Sequence, residues 1–385
     1  MASYDPHGTV TINGTDFTSD TINSVSISYG RTSIWEQSRT GYARIEILNK
    51  SDTNNNFDVN QSVVITIKNS ALVTKTIFTG KITNIDAVMN GVGYSGEAAI
   101  QTITAVGPFA DMARKIVGAT PYPAEYDDVR MTRILTETGV TIGTVDTPGD
   151  YKLAARSAST TDGYSLSAST AQMAFGYIYE GTDGSVNYAN EAHRTTYVQT
   201  YGYMTIPESY ILWQGISSNR SVNNILNYVT LTYDSGTVTQ EDTSSQGIFG
   251  KIASSVQTQL AIAGEAQIQA NRYVNLRSYP QTSLSSFTMP LASSVVSDAD
   301  RDALILVSMG MPISVSGLPV PLSVSTYFGF VEGWNMSFTR NQLFLTLTTS
   351  DSTLSMTPTR WQDVSASLIW SAVGPTVTWA AYDFQ

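Results

Sequence analysis

The sequence predicts a mainly β protein in which a small α+β block is inserted between two β-rich blocks. Near both ends of the chain, apolar residues alternate with polar ones, which is typical of strands buried on one face. In the middle of the chain the apolar spacing changes to three and four residues, which indicates helices. Ser and Thr together supply 93 of the 385 residues and charged residues only 14%. The polar surface is therefore built mainly from hydroxyl groups.

Length and composition exclude several classes of protein. At about 150 residues per domain, 385 residues indicate two or three domains. The absence of cysteine excludes disulfides, thiolate catalysis and cysteine-ligated metal sites. Only His7 and His193 are histidines, which argues against His-based metal binding and catalysis. The net charge of −11 argues against a tight grip on nucleic acid, which needs clustered cations.

No targeting or membrane segment is expected. The N-terminal residues lack both a basic and an apolar stretch. The uncharged stretch 303–329 is broken by Pro312, Pro319 and Pro321, so it does not fit a span of about 20 helical residues. The sequence therefore predicts no membrane span.

The first block, residues 1–108, reads as a set of short strands. Apolar residues alternate with mostly polar ones in three segments, so one face of each strand is expected to be buried. The residues expected in the core are Val25, Ile27 and Tyr29, then Ala43, Ile45 and Ile47, then Val63, Ile65 and Ile67. The turns include Asn13-Gly14 and Asn90-Gly91. Several short strands at this spacing predict a barrel or a sandwich.

The second block, residues 109–215, reads as α+β. A helix is predicted with Asp127 as its N-cap and Gly139 as its stop. A second helical pattern follows at Ala171, Ala174, Phe175 and Ile178. A turn at 181–184 then leads into a strand over 185–188.

The third block, residues 216–350, reads as mainly β with one long helix. Strands are predicted around Val229 to Tyr233 and Leu343 to Leu347. A stripe close to the 3.6-residue period predicts a helix of about 25 residues; the stripe is Phe249, Ile252, Val256, Leu260, Ala263, Ala266, Ala270 and Tyr273. A shorter helix is expected from Asp298 to Gly310.

The last block, residues 351–385, repeats tryptophan every nine residues, at Trp361, Trp370 and Trp379. One interpretation is a small β unit that buries all three in its own core. The other is an extended arm whose tryptophans form an interface with a neighbouring subunit, because aromatic anchors and strand addition suit such docking. The second interpretation makes these three residues the candidate partner interface.

Other motifs carry a weaker chemical signal. The Gly91–Gly96 segment matches G-x-G-x-x-G, but a strand rather than a helix is expected after it, so a hairpin loop is favoured over a nucleotide site. The acidic segment that begins at Asp298 lacks the glycine and the glutamate that a calcium-binding loop needs at its sixth and twelfth positions. It fits the first turn of a helix instead.

Catalysis would have to rest on few groups. The carboxylate clusters are Glu125 with Asp127 and Asp128, and Glu180 with Asp183. A serine triad would need His193, and no G-x-S-x-G segment is present. We therefore expect no enzyme activity, no cofactor and no bound metal.

Several segments, in this order along the chain, resemble minor tail proteins of long-tailed siphophages. They cover nearly the whole chain and are Ser24–Glu36, Gly41–Asn49, Phe78–Ile85, Tyr177–Glu180 with Asp183-Gly184, Asn224–Tyr233, the Ala-rich helix ending at Arg272-Tyr273, Pro280, Val331–Trp334 and the terminal Trp repeat.

The resemblance implies a baseplate hub-like architecture with two tube-like β-barrel domains, residues 1–108 and 216–350, around the inserted α+β domain. It implies a homotrimer that forms a six-barrel ring at the tip of the tail tube. The expected partners are the distal tail or tube ring, the tape measure C-terminus and further minor tail proteins. Phage DNA would pass through the lumen without specific binding, in agreement with a net charge that is negative in every block.

Two other classes stay open. The 21 tyrosines and six tryptophans also suit a β-rich surface adhesin or carbohydrate-binding receptor-recognition protein. A cell-wall hydrolase is the third possibility. A threefold ring would favour the hub, and a glycan-binding monomer would favour the adhesin.

Overall fold

The computed structural model describes residues 4–18, 20–49, 55–89, 99–213, 216, 218–284, 286–322 and 325–356. The first block consists of seven strands: β1 (Thr9–Ile12), β2 (Thr15–Thr18), β3 (Ile22–Gly30), β4 (Arg39–Asn49), β5 (Ser62–Lys68), β6 (Thr74–Met89) and β7 (Ala99–Val106). The predicted alternation is confirmed here, since Val25, Ile45 and Ile65 lie in the core and their sequence neighbours are more exposed.

The second block mixes helices with short strands: α1 (Pro108–Met112), β8 (Ile116–Val117), β9 (Glu125–Tyr126), α2 (Asp127–Thr138), β10 (Ile142–Val145), β11 (Lys152–Leu153), β12 (Thr161–Asp162), α3 (Gly163–Met173), β13 (Tyr177–Glu180), β14 (Val186–Ala189), α4 (His193–Tyr201) and β15 (Met204–Pro207). Helix α2 ends as predicted at Gly139, which adopts the left-handed conformation with φ +63°. The α+β character of this part of the chain is confirmed.

The remaining elements are β16 (Ser218–Arg220), β17 (Tyr228–Tyr233), β18 (Gly236–Glu241), α5 (Thr243–Phe249), β19 (Ala253–Gln257), α6 (Ala263–Arg277), β20 (Thr282–Leu284), β21 (Ser286–Pro290), α7 (Asp298–Ile305), β22 (Pro312–Ser316), β23 (Thr326–Phe338) and β24 (Leu343–Asp351). Short 3₁₀ turns occur at Glu208–Tyr210, Val222–Asn224, Val320–Leu322 and Ser352–Leu354.

One large sheet unites strands from both β-rich parts of the chain. Its order is β15-β22-β23-β3-β4-β7-β6-β5-β1-β2. Strand β24 pairs with β23 along the edge opposite β3, and β21 pairs with the other edge of β24. The two parts join where β3 pairs antiparallel with β23, with Ile27 opposite Met336 and Ser26 opposite Ser337. The apolar faces of both parts belong to one continuous core, in which Tyr29 stacks on Trp334 at 5.1 Å.

The predicted helix over 249–273 is wrong in its first half. Helix α5 ends at Phe249 because Gly250 turns the chain with φ +77°. Residues Ala253–Gln257 then form β19, which pairs in parallel with β17. Only α6 is helical, and it packs with β17 and β18 around Val229, Leu231, Ala266 and Ala270. The apolar spacing across the break is coincidental.

The second helical pattern, over residues 171–178, also extends beyond the helix that the structure shows. Helix α3 stops at Met173, Phe175 has φ +54°, and Ile178 belongs to β13. A bulky residue with positive φ is uncommon and marks a sharp reversal of the chain. Local spacing could not reveal this reversal, because it is fixed by the pairing of β13 with β14.

Two further results bear on the predicted organisation. Among the described residues, no helix is long and apolar enough to cross a membrane. Strand β24 runs through Asp351, and the chain contacts the body as far as Met356, through Arg194 at Ser355 and Tyr203 at Met356. The four-part division of the chain stays a prediction.

Candidate functional site

A continuous polar surface is formed by the solvent-facing side of seven adjacent strands, β21-β24-β23-β3-β4-β7-β6, which we call the hydroxyl face. At its centre, Ser26 lies opposite Ser337 and Ser28 lies opposite Asn335. Their neighbours in sequence, Ile27 among them, point into the core. Period-two alternation in each strand therefore puts the hydroxyl residues on one side of the sheet.

The hydroxyl face continues unbroken in both directions. Toward β21, Asn335 pairs with Thr346, which pairs with Thr288, and the two threonine Oγ1 atoms lie 2.8 Å apart. Toward β6, the row from Ser26 continues through Arg44, Thr104 and Asn84. The same polar register thus crosses strands from both β-rich parts of the chain.

The few charges on these cross-strand rows are balanced. Arg44 Nη2 lies 3.2 Å from Glu46 Oε1. Hydrogen bonds from Ser24 and Asn23, together with Arg44, lower the pKa of Glu46, although partial burial opposes this. Lys81 pairs with Asp111 at 2.7 Å. The hydroxyl face therefore carries no excess of cations along these rows.

A buried charged cluster, the Glu332 joint, connects three parts of the chain. Glu332 lies on β23, Arg31 follows β3, and Arg194 lies on α4. Arg31 Nε is 2.6 Å from Glu332 Oε2, Arg194 Nη2 is 2.7 Å from Oε1, and Ser350 Oγ also donates to the carboxylate. All three charged side chains are at most 5% exposed.

The electrostatics of the Glu332 joint follow from its partners. Burial alone would raise the pKa of Glu332, but the guanidinium groups of Arg194 and Arg31 lower it to about 2. Gly30 allows the chain before Arg31 to approach the backbone of Glu332 closely. Its φ is +89°, and a Cβ at this position would lie 2.3 Å from the Glu332 carbonyl oxygen. Both guanidinium carbons also lie 5.1 Å from the ring centroid of Tyr177.

A second buried carboxylate, in the Glu180 joint, ties the α+β part to the first block. Glu180 is the last residue of β13. It accepts hydrogen bonds from the backbone N–H of Gly41 and of Phe109, each at 2.6 Å, and from Thr40 Oγ1 at 3.2 Å. No cation is among these partners, so burial dominates and raises the pKa of Glu180 to about 7.

A cavity of about 460 Å³ opens beside the Glu332 joint, between α3, α6 and the loop after β3. Its walls include the half-exposed rings of Trp35, Phe175 and Tyr273, and Phe175 and Tyr273 have centroids 4.4 Å apart. Leu354 and Ser355, near the end of the described chain, also line it.

The residues that sequence analysis named as possible catalysts are engaged in structural contacts. Glu125 binds Arg130 at 2.8 Å and Arg133 at 2.7 Å. Asp127 accepts from Tyr188 Oη at 2.6 Å and from the Tyr151 N–H at 2.8 Å.

Two further candidates, Asp183 and His193, are bonded in the same way, and Asp128 accepts from the Val129 N–H at 2.8 Å. Asp183 accepts from Ser185 Oγ at 2.6 Å, and His193 Nδ1 lies 2.7 Å from Asp146. The described residues contain no group of three or more His, Asp or Glu side chains placed to hold a metal ion. These contacts give each of these side chains a structural partner.

Trp361, Trp370, Trp379 and the Gly91–Gly96 segment lie outside the described residues. Sequence analysis missed the roles of Arg31, Arg194 and Glu332. A signal was present, because Glu332 interrupts one apolar strand sequence and Glu180 ends another, and a buried carboxylate requires a partner.

Comparison with known proteins identifies the fold. No protein-family model matches the sequence, and no curated protein matches it significantly. Solved structures do match. The 43 kDa tail protein of prophage MuSo2 from Shewanella oneidensis has a TM-score of 0.64 at 9% identity, over 92% of this chain and 100% of that one. A tail protein from Neisseria meningitidis has a TM-score of 0.63 at 10% identity, over 91% and 98%.

A third match extends the likeness to secretion systems. The Escherichia coli c3393 protein has a TM-score of 0.51 at 16% identity, over 91% of this chain and 79% of that one. It is described as a component of the type VI secretion system with structural similarity to the T4 bacteriophage tail proteins gp27 and gp5. The chain thus has the mainly β fold of prophage tail and baseplate-like proteins.

Proposed function

We propose that the chain is a structural component of the tail tip of a long-tailed phage. In this role three copies form a hub ring that closes or extends the hexameric tail tube, anchors distal tip proteins and lets DNA pass. The observation that carries the proposal is the hydroxyl face, a continuous polar sheet surface built from both β-rich parts of one chain.

The hydroxyl face suits the wall of a DNA channel. A surface that binds phosphates strongly would retard DNA, since each cation–phosphate contact adds affinity. Ser, Thr and Asn side chains keep the wall wet without fixed positive charge, and Arg44 is neutralised by Glu46. We propose that this face lines the lumen.

An open strand edge on β6 would let a neighbouring copy pair with this chain in the ring. At one end of the seven strands, the second half of β6 pairs with β7 on one side, and Val88 and Met89 are about 60% exposed there. At the other end, β21 pairs with β24, and its outer edge is partly occupied because the Leu212 N–H donates to the Thr288 carbonyl oxygen at 2.8 Å. Exposed edges favour pairing with another chain.

The domain proposal remains four-part: barrels at 1–108 and 216–350, an α+β insertion at 109–215 and a C-terminal arm within 351–385. The first barrel would supply β3, β4, β6 and β7 to the hydroxyl face, and the second would supply β21, β23 and β24. The arm would dock on neighbouring tail proteins through its tryptophans.

The proposed role needs no catalysis, cofactor or metal. The candidate catalytic side chains are occupied by the structural contacts described above. Purified protein should hydrolyse no peptidoglycan and retain no stoichiometric metal; turnover or a bound ion would contradict this part of the proposal.

A phage lacking this chain distinguishes a hub from an adhesin. Loss of a hub ring should prevent completion of tails, and supplying the chain should restore completed tails with the chain at the tip. Loss of an adhesin would instead leave complete, DNA-filled particles that do not adsorb, and this outcome would overturn the hub proposal. A glycan array with the purified chain supplies an independent check of the adhesin alternative.

The arm has its own test. Deleting residues 357–385 should leave a folded, soluble body, because the buried apolar residues up to Leu347 already form a continuous core with one another. That body should assemble poorly into tails. If the truncated chain unfolds, the tryptophans belong to its own core.

A further inference from the structure

The cavity beside the Glu332 joint is placed where the chain begins its last segment. Ser355 lies in the cavity wall and is held by two arginines: Arg194 Nη1 donates to its Oγ at 2.6 Å, and Arg272 Nη2 donates to its carbonyl oxygen at 2.5 Å. The Met356 N–H also donates to the Ser352 carbonyl oxygen at 2.8 Å. The following residues therefore start from a fixed point at the cavity.

The first tryptophan of the repeat is within reach of the cavity. Trp361 follows Met356 by five residues. Five extended residues span at most roughly 17 Å. A short tether also gives a high effective concentration, of the order of millimolar. Trp370 and Trp379, further along the segment, do not share this constraint.

The cavity has the size to hold an aromatic side chain, and aromatic rings form part of its lining. Its volume of about 460 Å³ falls within the range of about 300–1,000 Å³ that ligand sites occupy. Three rings line it, from Trp35, Phe175 and Tyr273. The positive φ of Phe175 belongs to the reversal that places its ring against Tyr273. Aromatic rings favour tilted or offset contacts with further rings.

A positive charge at the cavity also complements a negative charge in the segment that would enter it. The Arg277 guanidinium carbon lies 4.3 Å from the Trp35 ring centroid, and its Nε donates to the Asn224 carbonyl oxygen at 3.2 Å. Within the described part of the chain Arg277 makes no ion pair with a carboxylate, whereas Arg272 pairs with Glu191. Asp363 follows Trp361 by two residues.

We propose that the cavity between α3, α6 and the loop after β3 receives Trp361 of the same chain, with the Asp363 carboxylate on Arg277. The first repeat then fixes the arm to its own body, outside the sheet core, so that Trp370 and Trp379, and no longer all three tryptophans, serve the proposed contact with neighbouring proteins. This docking takes place in the isolated chain, so its failure would leave the proposed tail role untouched.

Chemical cross-linking tests which copy supplies the occupant. The native chain has no cysteine, so an engineered pair reacts without background. Gln172→Cys on the cavity rim and Gln362→Cys beside Trp361 should be joined by a short bis-maleimide within one chain, as shown by monomer mass and peptide mapping. The control pair joins Gln362→Cys with Asn84→Cys, which lies on the hydroxyl face and does not line the cavity, and it should not be cross-linked. Cross-links between chains, or none at the rim, would overturn the proposal.

Proteolysis tests the same contact without engineered thiols. Arg360 is the only Lys or Arg in residues 352–385, so trypsin has a single site in the segment, directly before Trp361. Docking should slow cleavage there about tenfold or more relative to a synthetic peptide of residues 352–368.

A matched pair of variants assigns that protection to the cavity. Trp35→Ala, which removes one wall, should restore cleavage toward the peptide rate. Trp213→Ala, a half-exposed tryptophan that does not line the cavity, should not. Cleavage of the native chain at the peptide rate, or equal rates in the two variants, would overturn the proposal. Circular dichroism confirms that both variants remain folded.

Discussion

The Glu332 joint and the Glu180 joint both bury a carboxylate between parts of the chain that are distant in sequence, yet their electrostatics are opposite. Glu332 lies between two arginines, and its pKa falls to about 2. Glu180 is held by backbone N–H groups and a threonine, and its pKa rises to about 7. The comparison shows that the partner, not burial alone, sets the charge state of a buried acid. One joint is a fixed ionic connection, and the other titrates near neutral pH.

The largest effect is expected from Glu332→Gln. This change leaves the Arg31 and Arg194 charges buried without their shared carboxylate, which should cost about 3–5 kcal/mol of unfolding free energy. Urea unfolding at pH 7 measures it. Glu36→Gln, at an exposed site, is the control and should change little. Equal stability of the two variants would contradict the assigned importance of the joint.

Replacing the whole cluster sharpens this result. The triple variant Arg31→Met, Arg194→Leu and Glu332→Leu removes both the charges and their desolvation cost. It should be markedly more stable than Glu332→Gln, because apolar replacement of a buried ion cluster is often nearly neutral. If the triple variant is the less stable of the two, steric fit rather than charge holds the joint.

Glu180→Gln should change how stability depends on pH. The native carboxyl, with a pKa of about 7, binds its proton more tightly than the unfolded one, whose pKa is near 4.5. Its contribution is fully present below pH 4.5 and is lost as pH rises through 7, a loss of up to about 3 kcal/mol. The variant should lack this decline between pH 4.5 and 7.5 in urea unfolding. An identical pH profile in variant and native protein would refute the assignment.

For Glu332 we expect stability to depend on pH in the opposite direction. Its contribution is present above pH 4.5 and is lost as pH falls toward 2, because the unfolded carboxyl binds a proton first.

A smaller effect is expected at Gly107. A Cβ there would lie 2.1 Å from Glu180 Oε2, so Gly107→Ala should displace the carboxylate and destabilise the chain by about 1–3 kcal/mol. Gly247→Ala in α5 is the matched control, since no atom lies within 4 Å of the position that its Cβ would take and alanine favours helix. Thermal unfolding separates the two; a neutral Gly107→Ala would show that the Glu180 joint has room to adjust.

The sequence could predict the strands but not the joints. Alternation in β3, β4 and β5 reports burial directly, because a period of two is a local property. The partners of Glu332 and Glu180 come from positions 301 and 139 residues away, which no local spacing reveals. The helix over 249–273 failed for a related reason, since the strand pairing of β19 with β17 outweighs an apparent helical stripe. The tryptophan interface stays a prediction.

Electron cryo-microscopy of the assembled tail tip tests the central claim most directly. The account predicts three copies of this chain around a channel, with Ser26, Ser28 and Ser337 of the hydroxyl face toward the axis and no continuous ring of Lys or Arg along it. A map in which this face is turned away from the channel, or in which the chain lies outside the tube axis, would contradict the account.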